Sequence, residues 1–146
     1  MRNRSGFTLM EMMVVIAIVG IIAAAVVPNF IGWRNNAKVS QAARQIYSDL
    51  QTARTTAIKT NSTVSIDFDT GTNSYTLNGR ERNLPAGVVL SNVNFTASGN
   101  VATFNNLGFG RTFFDAPNDG SVTVTLANGQ RTSTILVETA GNIRIQ

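Results

Sequence analysis

Residues Gly6 to Val27 form one apolar run, GFTLMEMMVVIAIVGIIAAAVV, broken by a single acid, Glu11, and preceded by a short basic leader, MRNRSG. As a helix rising about 1.5 Å per residue, Phe7 to Val27 would span roughly 31 Å, enough to cross the hydrocarbon core of a bilayer. An acid placed in lipid costs about 2.5–3.5 kcal/mol even on lenient insertion scales, so it is normally retained for a partner. The partner expected here is a cation in another copy. A buried carboxylate recovers its desolvation cost only when it meets such a charge, so burial would select the register of assembly.

Two other readings share these residues. Basic residues, an apolar stretch and the small residues Ala23 to Ala25 also describe an ordinary secretory signal. The mature chain would then begin at Val26 and act as a secreted soluble binding module. A plain membrane anchor would instead keep Met1. An ordinary signal has no use for an acid in its apolar region, which is also usually shorter than this one. Arg2 and Arg4 mark the cytoplasmic side by the positive-inside tendency, which places the C-terminal part in the periplasm.

The pattern Gly6, Phe7, Thr8, Leu9, then Glu11 at the fifth position counted from Phe7, then hydrophobic residues up to Pro28, resembles the class III signal of type IV pilins and pseudopilins. The resemblance implies cleavage between Gly6 and Phe7 by an inner-membrane prepilin peptidase, with N-methylation of Phe7. It also implies that Glu11 is the assembly glutamate, set against the Phe7 amine of a neighbour, with Pro28 in the same helix. The implied partners are other pilin or pseudopilin subunits, the peptidase and an inner-membrane assembly platform.

Beyond Pro28, Val39, Ala42/Ala43, Ile46, Leu50, Ala53 and Ala57 recur at steps of three and four, one stripe of an amphipathic helix. Arg34, Lys38, Gln41, Arg44, Asp49, Gln51 and Arg54 fall on its other faces. The spacing predicts a single helix from Phe7 to about Lys59, with a kink or local melting near Ala24 to Pro28, where a backbone donor is lost. From Asn61 short β-prone runs follow: Thr63–Phe68, Ser74–Leu77, Val88–Leu90, Val101–Phe104, Ser121–Leu126, Thr132–Glu138 and Asn142–Ile145. Asp69–Asn73, Asn78–Gly79, Pro117–Gly120 and Asn128–Gly129 read as turns, and Ser91–Gly120 as largely loop. The fold class expected is α+β, the helix stripe laid on antiparallel sheets over Val64, Ile66, Phe68, Leu77, Val122, Val124, Leu126, Ile135 and Val137. The chain divides as leader 1–6, membrane and fibre-core helix 7–33, amphipathic helix 34–60 and β-rich domain 61–146.

The stretch ARQIYSDLQTARTTAIKTNSTVSI and the tail from Thr132 through Gly141 to Ile145 resemble the minor pseudopilin H and FimT-like family. That resemblance implies a structural minor subunit that initiates or caps a type II secretion pseudopilus or a type IV pilus. FimT-like members of competence systems are DNA receptors, which implies a Gly-Arg-x-Arg pattern in the tail. Here the tail reads Gly141-Asn142-Ile143-Arg144, with Asn142 in place of the first arginine. Gly79-Arg80-Glu81-Arg82 has the letters but lies in a hairpin.

Chemistry narrows the alternatives. The 146 residues contain no cysteine and no histidine. Disulfides and Cys/His metal sites are therefore excluded, and most catalytic roles have no residue to fill them, so no enzyme and no cofactor is expected. Asp67 and Asp69 flank Phe68 and would share a cation only if the turn drew them together; solvated turn residues are the plainer reading. There are 12 basic against 8 acidic side chains, and 10 against 8 without Arg2 and Arg4, a weak bias and poor support for nucleic acid. DNA binding, if present, would draw on Arg111, Arg131 and Arg144 together with Phe109, Phe113 or Phe114. The same aromatics, in GFGRTFF, are candidates for a subunit contact.

Overall fold

Thr8 begins the helix by a mechanism visible in the sequence Thr-x-x-Glu. In the computed structural model, which describes residues 7–111 and 117–146, the Glu11 backbone N–H donates to Thr8 Oγ1 at 3.2 Å. The helix α1 runs Leu9–Thr60 with Glu11 in its first turn and Lys59 in its last, each placed to suit the helix dipole. It ends on Asn61, whose φ of 50° is left-handed. The Ser62 N–H then reaches Ala57 O at 3.1 Å and the Asn61 N–H reaches Ile58 O at 3.4 Å, the paired bonds of a Schellman cap. Helix is assigned without a break through Pro28, so the local melting expected at 24–28 is absent. One missing N–H leaves the remaining ladder of so long a helix able to carry through.

The chain separates into two units, Met1–Arg34 and Asn35–Gln146. In the second, the expected stripe is buried: Val39, Ala42, Ile46, Leu50, Ala53 and Ala57 expose none of their surface. Eight strands follow: β1 (Val64–Asp69), β2 (Ser74–Leu77), β3 (Arg80–Asn83), β4 (Val88–Phe95), β5 (Val101–Phe104), β6 (Gly120–Leu126), β7 (Thr132–Val137) and β8 (Ile143–Ile145). They make two antiparallel four-stranded sheets, ordered β3-β2-β1-β5 and β4-β6-β7-β8. One apolar cluster joins the stripe to residues of both sheets, and all nine expected β-core residues lie in it. Within it the Phe68 ring lies 5.5 Å from that of Tyr75 and 6.3 Å from that of Phe95, between ring centroids.

Two local expectations are corrected, and the hairpin expected at Asn78–Gly79 gains a second strand. β4 continues past Leu90 to Phe95, because a bulge between Leu90 and Asn92 breaks the alternation and then resumes it with Val93 and Phe95 inward. Arg80–Asn83 is a strand although all four residues are exposed; Asn78 (φ 52°) and Gly79 (φ 73°) form the primed turn that lays it against β2. Pro117–Gly120 is not a turn. Pro117 bridges to Arg111, and Asn118 is fully buried, donating to Val101 O at 2.9 Å and accepting from Ala97 N and Ser98 Oγ, both at 3.2 Å. Gly120 then enters β6 where a Cβ would lie 2.2 Å from Asn94 O, so the close β4–β6 approach requires glycine.

Candidate assembly site and the arginine surfaces

Among the described residues of the first unit, no packing hides the apolar side chains. Phe7 is 74% exposed, and Met13, Ile16, Val19 and Ile22 are each more than half exposed. The helix is long and apolar enough to cross a membrane, and none of its apolar window is buried. An apolar surface on all sides of a helix is stable only when lipid or other helices cover it. Glu11 lies at the start of this surface, exposed, and its carboxylate has no hydrogen-bond or ion-pair partner among the described residues. Its backbone N–H is capped by Thr8 Oγ1 while its charge is left available. Gly6 and the leader 1–6 lie outside the described residues.

The arginines proposed for DNA do not form one patch. Arg131 precedes β7 at one end, with its carbonyl accepting from Leu126 N at 3.0 Å. Arg111 follows Gly110, whose N–H donates to Thr139 O at 3.0 Å just beyond the other end of β7. Six residues of strand, roughly 20 Å, separate the two ends. Arg144 lies on β8 opposite Leu136 and is ion-paired with Glu138 Oε1, while Glu138 Oε2 accepts from Asn142 Nδ2 at 3.2 Å. The tail arginine is therefore held by an acid of its own hairpin. Phe109 is 38% exposed, and Phe113 and Phe114 lie outside the described residues.

Asp67 and Asp69 project from the exposed face of β1. Asp69 Oδ1 accepts from Gly71 N at 2.8 Å and Thr72 N at 3.3 Å. These bonds, led by the one from Gly71, hold its carboxyl below the usual carboxylate range. Asp69 is thus a turn-forming residue, as the plainer reading held. Asp49 is the correction on the helix: expected on a solvated face, it is buried. Tyr75 Oη donates to Asp49 Oδ2 at 2.6 Å, Gln45 Nε2 donates to Tyr75 Oη at 3.0 Å, and Arg82 Nε lies 3.6 Å from Asp49 Oδ2. Burial, then the bond to Asp49, pushes the Tyr75 phenol well above its usual range. The helix, the edge strand β3 and its neighbour β2 are tied by this one carboxylate.

A helix stripe packed on antiparallel sheets, preceded by an uncovered apolar helix, is the architecture of pilin-like subunits. The model of the prokaryotic N-terminal methylation motif matches residues 1–27, and that of type II transport protein GspH matches residues 42–141. The chain belongs to the GspH family of type II transport proteins. It is 56% identical over 41 residues to the type IV major pilin protein PilA of Myxococcus xanthus, covering 28% of this chain and 18% of that protein. It is 51% identical over 45 residues to type II secretion system core protein G of Aeromonas hydrophila, covering 31% and 32%. The matches thus span under a third of either curated relative. The crystal structure of the type IV minor pilin FimU of Pseudomonas aeruginosa aligns with a TM-score of 0.55 at 16% identity, over 75% of this chain and 89% of that one. That likeness is one of fold.

Proposed function

We propose that this chain is a minor pseudopilin, a structural subunit that initiates or caps a fibre assembled from the inner membrane, and that its work is assembly and not catalysis. The observation that supports this best is the uncovered apolar half of α1 with Glu11 at its head, inside the matched methylation motif. In this reading a prepilin peptidase cuts between Gly6 and Phe7 and methylates the new Phe7 amine. The subunit waits in the inner membrane with residues 35–146 in the periplasm. On entering the fibre, the Glu11 carboxylate meets the α-ammonium of a neighbouring subunit as both leave water, so the correct register alone repays desolvation. The residues from Val14 to Val27 and Pro28 then pack among neighbouring helices. The family description favours a type II secretion pseudopilus over a type IV pilus.

Glu11→Ala tests the role of the carboxylate. The variant should be cleaved as wild type yet be recovered in sheared or cross-linked fibres at least about ten-fold less, the ratio that goes with about 1.4 kcal/mol per pairing. Incorporation at the wild-type level would remove Glu11 from the mechanism. The machine is identified by the culture supernatant of a strain lacking this chain: folded exoproteins lost from the medium and retained in the periplasm indicate secretion, and unchanged export indicates a pilus.

A further inference from the structure

In sequence, the first unit carries aromatic residues only at the two ends of its apolar stretch, Phe7 at the head and Phe30 and Trp33 at the foot. Phe30 and Trp33 stand three residues apart on one side of α1, with ring centroids 5.9 Å apart. Both are more than half exposed, and Trp33 is the only tryptophan of the chain. Arg34 follows directly, and between Glu11 and Arg34 the sequence has one polar side chain, Asn29. An indole settles where hydrocarbon meets headgroups, because its rings gain from apolar surroundings while its N–H keeps a polar partner. A long basic side chain beside it reaches into the same layer.

Helix geometry turns that boundary into a depth for the rest of the span. α1 is helical without a break from Leu9 past Trp33. At about 1.5 Å per residue, Trp33 lies roughly 33 Å along the axis from Glu11, and a tilt of about 20° still leaves about 31 Å across the bilayer. With Trp33 at one side of a hydrocarbon core of about 30 Å, the other side falls near Met12 and Met13. Glu11 then lies in the opposite headgroup layer. If Asn29 marked the boundary instead, the core would end near Thr8 and Leu9, with Glu11 in lipid and the Trp33 ring in water. That arrangement puts a carboxylate where it is costly and removes an indole from the layer that suits it. The first leaves only Asn29 inside, about 6 Å of helix from Trp33. We propose that Trp33, with Phe30 and Arg34, is the depth anchor of the span and holds Glu11 at the opposite headgroup layer before assembly. Glu11 is then hydrated while the subunit waits in the membrane, and it loses water only on entering the fibre. The proposal rests on the membrane-anchored reading of α1.

The chain has no cysteine, so each introduced one is a unique label. Met10→Cys, Met12→Cys, Val15→Cys and Ile18→Cys are made one at a time in the full chain, placed in lipid discs of palmitoyl-oleoyl phosphatidylcholine, and treated with a membrane-impermeant maleimide that reaches both faces of the disc. Met10→Cys and Met12→Cys should be labelled, and labelling should be lost at Val15→Cys and Ile18→Cys. Protection already at Met10→Cys would overturn the proposal. Because Glu11 itself resists entry into lipid, the part played by Trp33 is read in a Glu11→Ala background. There the edge of labelling should stay near Met12 while Trp33 is present. Trp33→Ala should move it toward the N-terminus by about four residues, one helical turn, as Asn29 becomes the boundary. Trp33→Tyr, which keeps an aromatic ring with a polar tip, should hold it in place. An edge that does not move in Trp33→Ala would overturn the proposal. The single indole gives a second reading: lipids brominated near the headgroup should quench its fluorescence more than lipids brominated at the chain ends. The reverse order, or no quenching by either, would overturn the proposal as well. A chain that fails to stay with the discs would overturn the membrane-anchored reading itself, an outcome seen by flotation before any label is added.

Discussion

One helix, α1, meets two different surroundings, and the contrast between its halves shows what each is for. In residues 35–60 the apolar positions keep to a three-and-four spacing, and Val39, Ala42, Ile46, Leu50, Ala53 and Ala57 are completely covered by the domain they belong to. In residues 9–34 apolar residues occupy every side, and Met10, Ile16, Val19, Ile22 and Ile31 stay more than half exposed. The first pattern completes a fold. The second is an unmet requirement, which lipid meets before assembly and neighbouring helices meet after it. The polar residues differ in the same way: Asp49 has its partners within its own domain, whereas Glu11 has none among the described residues.

The contrast can be broken at several points. Ile46→Ala should have the largest effect on stability, about 2–5 kcal/mol lost from the denaturant unfolding of the full chain in detergent, because it opens a cavity in the core. Ile18→Ala should leave that unfolding unchanged and act only on assembly; a comparable loss from both would mean that the first half also belongs to the folded core. Tyr75→Phe comes next, at about 1.5–3 kcal/mol, since it takes the hydroxyl donor from a buried carboxylate. Its pH dependence sharpens the assignment. The folded phenol titrates above its usual value, so its contribution is fully present below pH of about 10 and is lost as pH rises through that range toward the raised value. Wild-type stability should therefore fall in strong alkali along a course that Tyr75→Phe lacks. Asp69→Ala should have the smallest effect. Its lowered carboxyl contributes above the usual carboxylate range and loses that contribution as pH falls through the folded value, so the gap between variant and wild type should close in acid. A gap that persists there would mean that the turn does not depend on the charge.

Much of this was legible because burial follows simple periods. Val64, Ile66 and Phe68 alternate on β1, the helix stripe steps by threes and fours, and both patterns are inward in the structure. What escaped has physical causes. The extra residue in β4 shifts its alternation, so a pattern reading stops at Leu90. β3 has no apolar residue and exists because a primed turn and β2 template it. Asn118 resembles a turn residue by type, yet its buried amide bonds to Val101 O, Ala97 N and Ser98 Oγ. Asp49 reads as a solvated helix residue because its partner, Tyr75, is 26 positions away and the distance is closed only by the fold. At the candidate site, Glu11 stands out through its apolar neighbours.

The most direct test of the account is the mass of the N-terminal peptide of the native protein purified from cells. The account predicts a chain that begins at Phe7 with a methylated amine, the group that Glu11 of a neighbour is to meet. A chain that begins at Val26 would contradict it in favour of a secreted module, and one that retains Met1 would leave a plain anchor with no free amine at the head of α1.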